Sequence, residues 1–155
     1  MELADILAPR AVLYCTGVTN KRQLFQALAA NAADLTALAE QDIAAAITDR
    51  EMLGSTGLGN GVAIPHGKLP GLKRVTAVFA CLSTPIEFEA VDDNPVDIVV
   101  MLLAPAGAGA DHLKALACVA RLLRTEALVE ELRRTSDTAE LYRLLTAPVQ
   151  TTYAA

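Results

Sequence analysis

Two apolar runs constrain the fold of this 155-residue chain more than any other feature. Val75 to Leu82 and Val96 to Leu103 are each nearly unbroken in hydrophobic residues, and each has the length of a strand. A strand that alternates apolar with polar residues can leave one face in water. A strand that does not alternate must be covered on both. Helices on each side of a central sheet are the simplest cover, which predicts an α/β sandwich of three layers. The length predicts a single domain, and 53% hydrophobic content is enough to fill a real core.

The remaining segments supply the helices. Asn20 followed by Gln23 has the form of an N-cap with glutamine at the third helical position. Leu24, Phe25, Leu28 and Leu35 continue at helical spacing, so a helix is expected to about Asp34. A second is expected from about Leu38 to Met52, with Ile43, Ala46 and Ile47 on one face and Gly54 just past its end. After a Pro/Gly loop from Ala104 to Ala110, Asp111 is placed to cap a third helix with Leu113, Leu116, Ala117, Ala120 and Leu123 inward. Two shorter helices follow, at about 126–134 and 138–145, the last with a capping-box pattern in Asp137 and Glu140. Pro85 to Phe88 alternates like an edge piece, and Asp92 to Pro95 is a turn. Residues 148–155 are expected to be a short flexible tail.

Between the second helix and the first long strand the texture changes. Gly54, Gly57, Gly59 and Gly61 crowd into eight residues, and then comes Val62-Ala63-Ile64-Pro65-His66-Gly67-Lys68. The glycines invite a nucleotide reading, but the spacing refuses it. A phosphate-binding P-loop counted back from Gly67-Lys68 needs a glycine where Val62 stands, and Leu69 replaces its Ser or Thr. The dinucleotide fingerprint also needs a glycine at Val62, with a strand before it and a helix after, the reverse of the order expected here. Val62 to Ile64 is expected to be a short strand, kept extended by Pro65. Gly67 is expected to let the chain turn away and leave the His66 ring uncovered.

His66 and His112 are the two histidines of the chain. A turn histidine with no role is one reading of His66. The other is a nucleophile, held on a rigid strand end with one ring nitrogen bare and the other bonded to an acceptor. His112 falls in the first turn of the third helix, where the positive end of the helix dipole disfavours an imidazolium and free amides favour an anion. An exposed helix-start histidine is the alternative. Metal is not expected: structural zinc needs four ligands in short paired spacings, while Cys15, Cys81 and Cys118 lie far apart, Cys81 and Cys118 within apolar stretches. Three scattered cysteines also argue for a reducing compartment over a disulfide framework.

Other function classes are disfavoured by composition. A net charge of -5 and 4% aromatic residues suit neither a phosphate backbone nor stacked bases, so nucleic acid is not an expected partner. The N-terminus lacks the pattern of a secretory signal. The longest apolar run, Ile98 to Pro105, is far short of the ~20 residues that span a bilayer, so a cytoplasmic, non-embedded protein is expected. No G-x-S-x-G elbow points to a hydrolase.

The segments "REMLGSTGLGNGVAIPHGKL", "PVDIVVMLLAP" and "GADHLKALACVARLL" together closely resemble the mannitol/fructose-type IIA proteins of the bacterial phosphoenolpyruvate-dependent phosphotransferase system. The "GSTGLGNGVAIPHGKL" form is most similar to the nitrogen-regulatory branch, and the resemblance runs from about Leu3 to Leu145. It implies one EIIA type-2 domain over residues 1–147, in a three-layer α/β/α sandwich with a central mixed β-sheet flanked by helices. It implies that His66 accepts a phosphoryl group from the histidine-containing phosphocarrier protein, with family resemblance pointing to Nε2. His112 matches the histidine that supports the phosphorylated ring. Arg50 matches an arginine associated with the site, and Thr56 is expected as a hydroxyl partner for phosphoryl oxygens. Ser55 and Lys68 match family-like positions. No cofactor is implied. The partners implied are the phosphocarrier and regulated targets such as potassium-transport or sensor-kinase components. The alternative is a sugar-specific IIA that passes phosphate to a IIB cysteine. Leu58, Leu69 and Leu72 are expected either in an apolar dish around His66 or in ordinary core.

Overall fold

The computed structural model describes residues 1–147, so the expected tail at 148–155 lies outside the described residues. After a short 3-10 turn at Leu3–Asp5, the elements run β1 (Leu7–Cys15), α1 (Lys21–Thr36), α2 (Glu40–Met52), β2 (Gly57–Gly59), β3 (Val62–Ala63), β4 (His66–Leu69), β5 (Thr76–Ile86), β6 (Val96–Pro105), α3 (Gly109–Leu123), α4 (Glu126–Arg133) and α5 (Thr138–Thr146).

The two apolar runs are the centre of the sheet. β5 and β6 pair antiparallel, from Thr76 opposite Leu103 to Ile86 opposite Val96. The sheet order is β1-β5-β6-β3-β2, with β4 also on β6. β1 joins β5 in parallel, and β3 and β4 join β6 in parallel, so the sheet is mixed. Ile98 to Ala104 are all fully buried, as a strand covered on both sides must be. Pairing partners share a face, so His66, Leu102 and Ala77 point one way and Gly67, Leu103 and Thr76 the other. α1 and α2 cover the Gly67 face. α3, α4 and α5 cover the His66 face, where the Cys81 thiol lies 3.7 Å from the Leu132 carbonyl of α4. Burial, then the Asp97 carboxylate, pushes that thiol up to about 11, and all three cysteines are unbridged.

β3 and β4 are one strand line. Val62 faces Ile98 and His66 faces Leu102 in the same register along β6. Pro65 has no N–H, but its carbonyl accepts from Leu102 N at 2.9 Å, so the line carries on through it. The expected turn-away at Gly67 is therefore corrected. The chain continues as strand to Leu69, and Gly67 serves a close approach instead: a Cβ there would stand 3.2 Å from the backbone carbon and the Cβ of Ala46 in α2. The other end of the line is clasped by α4. Arg133 Nε donates to both carboxylate oxygens of Asp97, at 3.0 and 3.1 Å, and Nη2 reaches the Asn60 carbonyl. The guanidinium lies across Gly61, whose φ of 81° belongs to the left-handed region.

The helix expectations need three corrections. Asn20 caps α1 as expected, accepting from Gln23 N at 2.8 Å, but the Gln23 side chain reaches back to Thr19 rather than to Asn20. Asp137 opens α5 without a side-chain cap bond, and the Glu140 carboxylate accepts from Arg143 rather than from the Asp137 amide. α3 begins three residues early, at Gly109 with Ala108 at the cap position, so Asp111 sits inside its first turn. The inward face is His112, Ala115, Val119 and Leu123, with Leu116 and Ala120 packed partly buried beside it, whereas Leu113 is 67% exposed and Ala117 is exposed.

Candidate functional site

His66 is placed by backbone chemistry. Its Nδ1 lies 2.9 Å from the carbonyl oxygen of Ile64, two residues earlier on the same strand line. A carbonyl only accepts, so the bond selects the tautomer with the proton on Nδ1 and leaves the Nε2 lone pair free. The ring is half-buried.

His112 stands against it. The ring centroids are 5.6 Å apart and the planes tilt by 51°. His112 makes the first full-turn bond of α3, from its N to Ala108 O at 3.0 Å, so the amides just before it have no helical acceptor. The residue is 8% exposed, and its Nδ1 is buried without a partner. Burial, then His66, then Lys68, lowers its pKa below the ordinary histidine value, which favours the uncharged ring. Lys68 is two residues beyond His66 on β4, so it projects from the same face, and it is exposed. These three residues converge.

Arg50, Ser55 and Thr56 are engaged around the glycine loop, and of the three Thr56 is bonded to the strand line. Arg50, in the last turn of α2, donates from Nη1 to Gly54 O at 2.9 Å and so closes the helix end. Ser55 donates to Phe88 O at 3.2 Å and accepts from Gly57 N at 3.1 Å. The Thr56 hydroxyl donates to Glu51 Oε1 at 2.5 Å, so in this arrangement it is not available to donate to a phosphoryl oxygen. Thr56 reaches His66 through the backbone instead. Its carbonyl accepts from Ile64 N at 3.1 Å, and the Ile64 carbonyl holds the His66 ring.

Of the three leucines expected either in a dish or in core, Leu69 is core at 4% exposed and Leu72 packs partly buried against the core. Leu58 is 43% exposed but lines a cavity of about 590 Å³ with Arg133 and Val129. The exposed apolar side chains next to site residues are Leu113, beside His112, and Met52 and Leu53, which follow Arg50 and Glu51. Glu51 itself is absent from the sequence reading. A carboxylate at the C-terminal end of a helix opposes the dipole, and that anomaly was its one legible signal. Its partner Lys21 is too distant in sequence to pair by spacing.

Residues 5–147 match the family model described as phosphoenolpyruvate-dependent sugar phosphotransferase system, EIIA 2. A nitrogen regulatory protein of Bradyrhizobium diazoefficiens is 49% identical over 151 residues, covering 97% of this chain and 99% of the relative. The crystal structure of the nitrogen regulatory protein IIA-Ntr from Neisseria meningitidis superposes with a TM-score of 0.87 at 33% identity, over 93% of this chain and 99% of that one. The mannitol IIA of Escherichia coli shares the fold, with a TM-score of 0.74 at 20% identity over 89% and 97% of the two chains.

Proposed function

The chain belongs to the EIIA 2 family of the phosphoenolpyruvate-dependent sugar phosphotransferase system, and from that premise we propose that it is a nitrogen-regulatory phosphoryl carrier whose acceptor atom is Nε2 of His66. The bond from His66 Nδ1 to Ile64 O carries this reading, because it presents a bare, fixed nucleophile.

In the proposed step the Nε2 lone pair attacks the phosphorus of a phosphohistidine on the donor, the histidine-containing phosphocarrier protein. A P–N bond forms to His66, the donor's P–N bond breaks, and its imidazole leaves with the electron pair. Such a transfer asks the protein for positioning and for charge stabilisation at the phosphoryl oxygens. The unpartnered helix-start amides of α3 supply donors, and so does His112. Lys68 supplies a nearby cation. Arg50 keeps further guanidinium donors beyond the one given to Gly54. Leu113, Met52 and Leu53 offer apolar contact to a docking partner.

Residues 1–147 act as one domain in this reading, in the cytoplasm; no helix of the described residues is long and apolar enough to cross a membrane. The phosphorylation state then governs binding to regulated targets such as potassium-transport or sensor-kinase components.

The test is mass and acid lability after mixing with phosphoenolpyruvate, enzyme I and phosphocarrier. One phosphoryl group is expected, lost in His66→Ala. His112→Ala is expected to label but to transfer onward poorly. Equal labelling of wild type and His66→Ala would sink the assignment. Rapid specific transfer to a sugar-type IIB would favour the sugar-specific alternative.

A further inference from the structure

Glu51 is a carboxylate in an expensive position. It is buried, with a side chain 6% exposed, and it occupies the last turn of α2, where the helix dipole repels negative charge. The fold compensates with three donors. Lys21 Nζ and Thr56 N reach Oε2 at 3.0 Å each, and the Thr56 hydroxyl reaches Oε1 at 2.5 Å. Lys21 is itself held by packing, with its ammonium 4.3 Å above the centre of the Phe88 ring. Two helix ends and the glycine loop therefore meet at one carboxylate.

The network does not stop there. Thr56 O accepts from Ile64 N at 3.1 Å, and Ile64 O accepts from His66 Nδ1 at 2.9 Å. One hydrogen-bonded path runs from Lys21 through Glu51, Thr56 and Ile64 to the His66 ring. Every joint in it is made by a partly or fully buried group. Buried networks of this kind leave their members little freedom to reorient, because each alternative strands a polar group.

We propose that Glu51 is a positioning residue for His66. By gripping Thr56 at both its amide and its hydroxyl, it fixes the loop strand against Ile64. The Ile64 carbonyl then stays where it selects the Nδ1–H tautomer and exposes the Nε2 lone pair. Glu51 touches neither the donor nor the transferred group. The inference rests on the reading of His66 as the phosphoryl acceptor, but the tautomer it predicts exists without any donor.

The test is therefore two measurements on the same variants of the full chain. The first is the His66 tautomer, read from long-range proton–nitrogen correlations of the uniformly labelled, unphosphorylated protein. The second is the rate of phosphorylation by the phosphocarrier. Wild type is expected to hold His66 as the Nδ1–H form. Glu51→Gln keeps the shape but removes the negative charge opposite Lys21, and its amide nitrogen meets Thr56 only by turning that hydroxyl from donor to acceptor. It is expected to give a mixture of both neutral tautomers and a rate reduced on the order of ten-fold or more. Thr56→Val removes one of the two grips and is expected to fall between, whereas Thr56→Ser keeps both and is expected to match wild type. A folded Glu51→Gln with an unchanged tautomer and an unchanged rate would overturn the proposal. Should Glu51→Gln fail to fold, the Thr56→Val and Thr56→Ser pair decides. Both matching wild type in tautomer and rate would overturn it equally. Failure of wild type to take up phosphate would refute the acceptor reading alone, since the tautomer still reports on Glu51.

Discussion

The His66 and His112 rings face each other at 5.6 Å from two elements that meet only through the fold, a strand on the sheet edge and the first turn of a helix. The contact makes the protonation of one ring depend on the charge at the other. His112 already feels this, since His66 follows burial as a cause of its lowered pKa.

A phosphoryl group on His66 would bring about two negative charges next to His112. That reverses the local sign. Negative charge favours the imidazolium, so the pKa of His112 is expected to rise on phosphorylation and the protein to take up a proton. Side-chain NMR titration of both forms checks this. An identical His112 midpoint in the two would show that the rings are not electrostatically coupled.

Stability should depend on pH through the same residue. The folded pKa of His112 lies below its unfolded value. The unfolded chain therefore binds more protons as pH falls through the window between the ordinary histidine value and the folded one. The contribution of His112 is fully present above that ordinary value. It is lost as pH falls towards the folded value. Urea unfolding between about pH 5 and pH 7.5 should show stability decreasing on the acid side. The slope should be shallower in His112→Gln. An equal slope in the variant would assign the effect elsewhere.

The approach of α2 to β4 gives a packing prediction. A methyl group at position 67 would meet the Ala46 backbone carbon at 3.2 Å and its oxygen at 3.3 Å. Backbone cannot rotate aside as a side chain can, so Gly67→Ala should lower stability by about 1–3 kcal/mol. Ala46→Gly in the same chain should recover only part, since the backbone atoms remain. Denaturant unfolding of the single and double variants measures both. A neutral Gly67→Ala would mean that α2 is free to withdraw.

Much of this architecture was legible in the sequence because its strongest signals are local. β5 and β6 announced themselves as unbroken apolar runs, and Asn20 with Gln23 announced the start of α1. β1 escaped because Pro9 and a bulge between Leu7 and Val12 break its period, as an edge strand allows. β4 escaped because Pro65-His66-Gly67 has the composition of a turn, while its pairing with β6 is long-range. The α3 face is ambiguous in sequence because its apolar and small residues spread around the helix; the core takes His112, Ala115 and Val119 and leaves Leu113 in water. At the site, His66 was legible from its neighbours in the chain. The bonds from Glu51 to Lys21 and from Thr56 to Ile64 join residues no local pattern relates. The Arg133 clasp on Asp97 was hidden for the same reason.

The pairing of the His66 strand has a consequence for synthesis. Residues 62–69 take their strand register from β6, which begins at Val96. While the chain leaves the ribosome, the whole "AIPHG" motif emerges before any of that partner strand exists. His112, from α3, arrives later still. A nascent or prematurely ended product would carry the motif intact and yet lack the shaped site. On the proposed reading, chemical competence is thus delayed until most of the polypeptide is made, and unfinished chains would not draw phosphate from the donor.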